Sequence, residues 1–159
     1  QAIHHAGPSD VQASLSPSPD DEHPVLQNRR VLIVDEEAGN RQAGHDLLDR
    51  YGCVVETARS GEEAMLMLKA FNYDVMIADI RLPDMTGSQL FARLRERGDQ
   101  TPIILMAGFG YDASHSLVRG RQMGMKFAIF KPFRRDQLIK SVEQTISPTS
   151  DTGLAATPA

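Results

Sequence analysis

The chain has 159 residues, 41% of them apolar and 24% charged, enough to bury one core of ordinary size and consistent with a single folded unit. A net charge of -4 argues against a dedicated nucleic-acid binder, whose phosphate affinity needs clustered Lys and Arg, so any DNA binding would have to be local. The lone cysteine, Cys53, cannot close an internal disulfide, and no apolar stretch approaches the roughly 20 residues of a membrane span or resembles a signal peptide, so the expectation is a cytoplasmic module without membrane contact.

Residues 1–27 carry Pro8, Pro17, Pro19 and Pro24 among Ser, Asp and His, with no apolar periodicity, and are expected to be a flexible linker. His4, His5 and His23 fall in it and are expected to be solvated. The first residue is Gln, which suggests a piece of a longer protein. The folded unit is placed at 28–146. Its strands are expected over Arg30 to Asp35, Cys53 to Thr57, Asp74 to Asp79, Pro102 to Ala107 and Lys126 to Phe130, with helices between them.

The second and third helices begin at Ser60-Gly61-Glu62-Glu63 and Thr86-Gly87-Ser88-Gln89, both matching the capping box in which a hydroxyl and a Glu or Gln three residues later satisfy orphan amides. Their core stripes are Ala64, Leu68 and Phe71, with Met65 and Leu66 beside them, and Leu90 and Leu94 with Phe91. Gly52 and Gly98 supply C-terminal stops. Between Ala107 and Lys131, the segment Gly108-Phe109-Gly110-Tyr111-Asp112 reads either as a distinctive loop that covers a site or as a helix entry capped by Asp112. Residues 147–159 lack periodicity and are expected to be a disordered tail. Strict alternation of strand and helix implies a parallel sheet, and right-handed crossovers lay helices on both faces, giving an α/β three-layer sandwich.

Parallel strands discharge their C-terminal ends at one edge, where open α/β sheets bind ligands. Val31-Leu32-Ile33-Val34 delivers Asp35 and Glu36 there, and Val75-Met76-Ile77-Ala78 delivers Asp79. Three convergent acids call for a cation. Ala128-Ile129-Phe130 ends in Lys131-Pro132 and brings an ammonium to the same edge, which suits a phosphate beside a metal. Asp74 and Asp84 read as turn formers or helix caps, Cys53 as a small buried apolar residue, and His45 and His115 have no ligand spacing. Gly108-Phe109-Gly110 lacks the pattern of a phosphate-binding loop, and the acids after the first strand disfavour a flavin phosphate.

Val34-Asp35-Glu36-Glu37, Asp79-Ile80-Arg81-Leu82-Pro83 followed by Gly87, Pro102-Ile103-Ile104-Leu105 and Lys131-Pro132-Phe133 together resemble the response-regulator receiver domains, the CheY-like family, over the whole folded unit. The resemblance implies a flavodoxin-like sheet of order 2-1-3-4-5. It makes Asp79 a phosphoacceptor served by a histidine kinase or phosphotransfer domain, in a module that catalyses its own phosphorylation and dephosphorylation and is no stand-alone enzyme. Lys131 would steady the phosphoryl oxygens. Mg2+ would be held by Asp79, Glu36, the backbone carbonyl of Arg81 and, through water, Asp35. The linker and short tail suit the C-terminal receiver of a hybrid sensor histidine kinase.

Three departures from the family pattern stand out. Glu36 replaces the usual Asp ligand. Ala107 stands where the family has a hydroxyl that bonds the phosphoryl group, and Ala128 where it has the aromatic that moves with that hydroxyl. Loss of both keeps open a degenerate receiver that binds proteins without a phosphate switch. The basic residues Arg119, Arg121, Lys126, Arg134, Arg135 and Lys140 mark the 119–140 face as a solvated surface or a place for partner contact or self-association.

Overall fold

The computed structural model describes residues 23–107, 127–130 and 134–146, and within 127–130 the side chain of Ile129 alone. Strands β1 (Arg30–Val34), β2 (Val54–Ala58), β3 (Val75–Asp79), β4 (Ile103–Ala107) and β5 (Phe127–Phe130) form one parallel sheet in the order β2-β1-β3-β4-β5. Helices α1 (Ala38–Arg50), α2 (Gly61–Ala70), α3 (Gly87–Glu96) and α4 (Arg135–Ile146) complete the described elements. The parallel sheet is what the alternation of strand and helix implies, and its order is the flavodoxin-like one that the receiver resemblance implies.

The inner strands are continuously apolar because both faces of the sheet are covered. Successive residues go to opposite sides: Leu32, Val34, Met76, Ala78 and Leu105 pack with Leu90 and Leu94 of α3, whereas Val31, Ile33, Val75, Ile77 and Met106 pack with Leu48 of α1 and Leu138 of α4. Leu90, Leu94 and Leu48 are wholly buried, so truncating any of them to Ala removes about 2–5 kcal/mol.

The helix starts differ from one another. Thr86 Oγ1 accepts from Gln89 N at 3.0 Å and Gln89 Oε1 accepts from Thr86 N at 2.9 Å, the full reciprocal box. At α2, Ser60 Oγ accepts from Glu63 N at 3.1 Å, but the Glu63 carboxylate takes the amide of Arg59, one residue before the cap. Gly52 and Gly98 end α1 and α3 with φ of 89° and 82°.

Two expectations need correction. Phe71 and Leu66 are not core: they are 50% and 67% exposed. The helix ends at Ala70, so Phe71 has extended backbone and leaves the helical stripe, and its ring lies 5.1 Å from the Arg30 guanidinium carbon. Leu66 lies two residues from both Ala64 and Leu68, on the other side of the helix.

Residues 23–27, expected to belong to the leading linker, are part of the folded unit. Pro24–Leu26 is a 3-10 turn whose Leu26 is wholly buried, His23 Nδ1 lies 2.8 Å from Glu143 Oε2, and the His23 ring stands edge-on to Tyr51 with centroids 5.4 Å apart. A single turn contributes one apolar anchor and no periodicity, which is why composition alone reads as linker. Residues 1–22 and 147–159 lie outside the described residues.

Candidate functional site

β1 and β3 are neighbours, and their last in-register pair is Val34 with Ala78. The next residue of each chain is an aspartate. Asp35 is wholly buried; its amide donates to Ala58 O at 3.0 Å, and its Oδ1 accepts from Glu37 N at 2.9 Å as the chain turns into α1. Asp79 is half-buried, pairs with Met106 of β4, and accepts at Oδ1 from Arg81 N at 3.1 Å. Glu36 and Arg81 are exposed beside them. The sheet therefore brings Asp35, Glu36 and Asp79 to one edge, with Arg81 two residues on.

The loop after Asp79 is tightly built. Ile80 N donates to Met106 O at 2.8 Å, Leu82 N to Met85 O at 3.0 Å, and Gly87 N back to Ile80 O at 2.7 Å, while Arg81 and Thr86 form an antiparallel bridge. Asp84 lies at the tip, but its carboxylate caps α2: Oδ1 accepts from Gly61 N and Oδ2 from Glu62 N, each at 2.9 Å. Burial pushes the Asp84 carboxyl up, and the amides of Glu62, Gly61 and Asp84 itself, with the Arg93 charge, outweigh it and hold the group below its ordinary range. The cap expected of Asp84 is real, but it reaches across 22 and 23 residues to another helix.

Ala107 ends β4, wholly buried, one residue beyond the partner of Asp79. Ala128 pairs in register with Leu105. Lys131, the Gly108 to Asp112 segment, Arg119, Arg121 and Lys126 lie outside the described residues. Of the basic face, Arg134, Arg135 and Lys140 are described and exposed, and Arg134 Nε lies 3.5 Å from Asp136 Oδ1. Cys53 is buried as expected, and burial first, then the negative charges of Asp49 and Asp74, push its thiol up to about 11. Arg41 was not legible as a site residue. Its Nη1 donates to Asp35 O at 2.8 Å and Glu36 O at 2.9 Å, a contact that no spacing rule for helical ion pairs suggests.

A family model described as the response regulator receiver domain matches residues 31–143. The chain belongs to that family. The receiver is 32% identical over 128 residues to the transcription factor SKN7 of Saccharomyces cerevisiae, a match that covers 80% of this chain and 20% of that protein. It is 30% identical over 117 residues to the cell cycle response regulator CtrA of Brucella abortus, covering 74% of this chain and 50% of the relative. The chain thus spans half or less of the length of these curated relatives. Among solved structures, the receiver domain of the Francisella response regulator 1452 superposes with a TM-score of 0.70 at 28% identity, covering 77% of this chain and 99% of that one. The chemotaxis response regulator CheY4 of Vibrio cholerae gives 0.68 at 28% identity, with 74% and 98% covered.

Receivers of this family generally use Mg2+ and work with histidine kinases or phosphotransfer proteins. Among the described residues, Asp35, Glu36, Asp79 and the Arg81 carbonyl put oxygen donors at this edge, the chemistry of a hard cation. Among the described residues no group of three His, Cys, Asp or Glu side chains is gathered to hold a metal. Mg2+ does not require one, because it keeps several waters and takes only one or two carboxylates plus substrate phosphate. The donor set fits in that minimal form. No helix among the described residues is long and apolar enough to cross a membrane.

Proposed function

We propose that this receiver accepts a phosphoryl group on Asp79 from a histidine kinase or phosphotransfer domain in the cytoplasm and signals by a change of conformation. The observation that carries this reading is the placement of Asp35 and Asp79 on adjacent parallel strands, each just beyond or at the last residue of its strand, with Asp79 still accessible. In the transfer, an Asp79 carboxylate oxygen forms a bond to phosphorus while the bond from phosphorus to the donor imidazole nitrogen breaks. The electron pair leaves with the imidazole, which regains its proton.

Positioning and charge stabilisation are the main work of such a transfer. The Asp79 carboxylate is oriented by the Arg81 amide, and the tight hydrogen bonding of residues 80–87 holds the loop behind it. Asp79, Glu36 and the Arg81 carbonyl would hold Mg2+ directly and Asp35 through water, and the bound ion would supply charge neutralisation for the phosphoryl oxygens. Lys131 would add an ammonium to the same oxygens.

Wild-type protein incubated with a small phosphodonor and Mg2+ should gain one phosphoryl mass by intact-mass spectrometry, and Asp79→Asn should not. An unmodified wild type, or an equal adduct in Asp79→Asn, favours the second reading, a degenerate receiver used as a protein-binding module. That reading draws its support from Ala107, whose buried methyl stands where the family has a hydroxyl.

A further inference from the structure

Helix α1 begins without the devices that usually start a helix. Its cap residue, Glu37, makes no side-chain cap hydrogen bond, and the first turn contains no acid. A cation is found there instead. Arg41 is half-buried, and its Nη1 bridges the carbonyls of Asp35 and Glu36 at 2.8 and 2.9 Å. A positive charge in the first turn opposes the helix dipole, so helix stability does not account for it.

The bridge has a clear effect on the turn that carries the acid pair. On one side Asp35 Oδ1 takes the Glu37 amide at 2.9 Å; on the other, the two preceding carbonyls are committed to Arg41. The bridge fixes the direction of both carbonyls and so restrains the backbone from which the Asp35 and Glu36 side chains extend. We propose that Arg41 is a positioning residue for the cation site: it holds the Asp35–Glu36 backbone so that the Glu36 carboxylate is presented beside Asp79. Glu36 needs this support because its longer side chain has an additional rotatable bond to fix. The inference rests on the receiver reading given above.

Two physical effects of removing Arg41 have opposite signs, which makes the test sharp. If Arg41 acts only as a nearby charge, its loss makes the site more negative and Mg2+ binds more tightly. If it positions the turn, its loss weakens binding, by about tenfold or more as for other groups that orient metal ligands.

Mg2+ titration of the unphosphorylated protein, followed by the amide resonances of residues 35–37 and 79–81, reads the sign directly. Arg41→Ala should bind about tenfold more weakly, and Arg41→Lys, which keeps the charge but only part of the bridge, should fall between it and wild type. Should Arg41→Ala fail to fold, the Arg41→Lys titration alone decides, because charge is conserved there. Affinity unchanged or tightened in the folded variants, while wild type binds, overturns the role of Arg41 alone. No binding by wild type overturns the Mg2+ receiver reading and this inference with it.

Discussion

Gly87 lies directly against the backbone of Asp79: a Cβ on Gly87 would stand 2.9 Å from the Asp79 carbonyl oxygen and 2.7 Å from Leu105 Cδ2. The glycine eight residues after the candidate phosphoacceptor is therefore a packing requirement of that site. Glycine to alanine within a helix normally stabilises by up to about 1 kcal/mol. At Gly87 the contact is with main chain that cannot yield, so Gly87→Ala should instead destabilise by about 1–3 kcal/mol and slow phosphorylation of Asp79. Gly39 in α1 has nothing within 4 Å of its Cβ position, and Gly39→Ala should stabilise by about 0.4–1 kcal/mol. Urea unfolding of the two variants checks the opposite signs; a stabilised Gly87→Ala would show that the loop gives way.

The sheet was legible because its inner strands are buried on both faces and so are written as unbroken apolar runs, and because Asp35 and Asp79 close two of those runs. The Thr86 and Gln89 box was legible for a similar reason, since both partners sit within one turn. What escaped depends on contacts that sequence distance conceals. Leu26 joins the core through one turn in a proline-rich segment, Asp84 caps a helix that precedes it, and Arg41 bonds to carbonyls, which have no residue signature. Phe71 was misread because helical spacing was carried one residue past the helix end.

Asp84 ties the loop after Asp79 to the start of α2, and its folded carboxyl is held below the ordinary value of 3.8. A carboxyl with a depressed folded pKa contributes stability above its unfolded value and loses that contribution as pH falls through the folded one. Asp84→Ala should thus be less stable by about 1–2 kcal/mol at neutral pH, the size of a lost cap. The urea midpoints of variant and wild type should converge on acidification below that range. A gap that persists at low pH would mean that the aspartate acts by packing and not by charge.

Tyr73 is buried at the other end of the sheet, and its hydroxyl donates to Glu56, which also receives Arg30 Nη2 at 3.2 Å. Burial first, then the Glu56 carboxylate, push the phenol from 10.0 up to about 12. A phenol with a raised folded pKa gives stability that is complete below its unfolded value and is lost as pH rises toward the folded one. Ultraviolet titration should show a tyrosine ionising near pH 12 that is absent in Tyr73→Phe. The stability difference between the two proteins should shrink between the two pKa values, and identical titration curves above about pH 11 for wild type and Tyr73→Phe would remove this assignment.

Ala107 and Ala128 bear on how far a phosphoryl signal can travel. Ala107 ends β4 beside the strand that carries Asp79, and it has no hydroxyl to contact a phosphoryl oxygen. A bound anion shifts only those conformations that it contacts differently, so the response to phosphorylation should remain local. With beryllofluoride and Mg2+ as a phosphate mimic, amide resonances of residues 79–81 should shift strongly and those of β5 and α4 weakly. Ala107→Thr places a hydroxyl at the buried strand end, at a stability cost of about 1–3 kcal/mol for overpacking. It should tighten beryllofluoride binding more than it enlarges the shifts in β5, because Ala128 still provides no aromatic side chain to move. If wild-type β5 and α4 instead rearrange as strongly as the site itself, the signal runs through residues other than these two, and the segment from Gly108 to Asp112 becomes the first place to substitute.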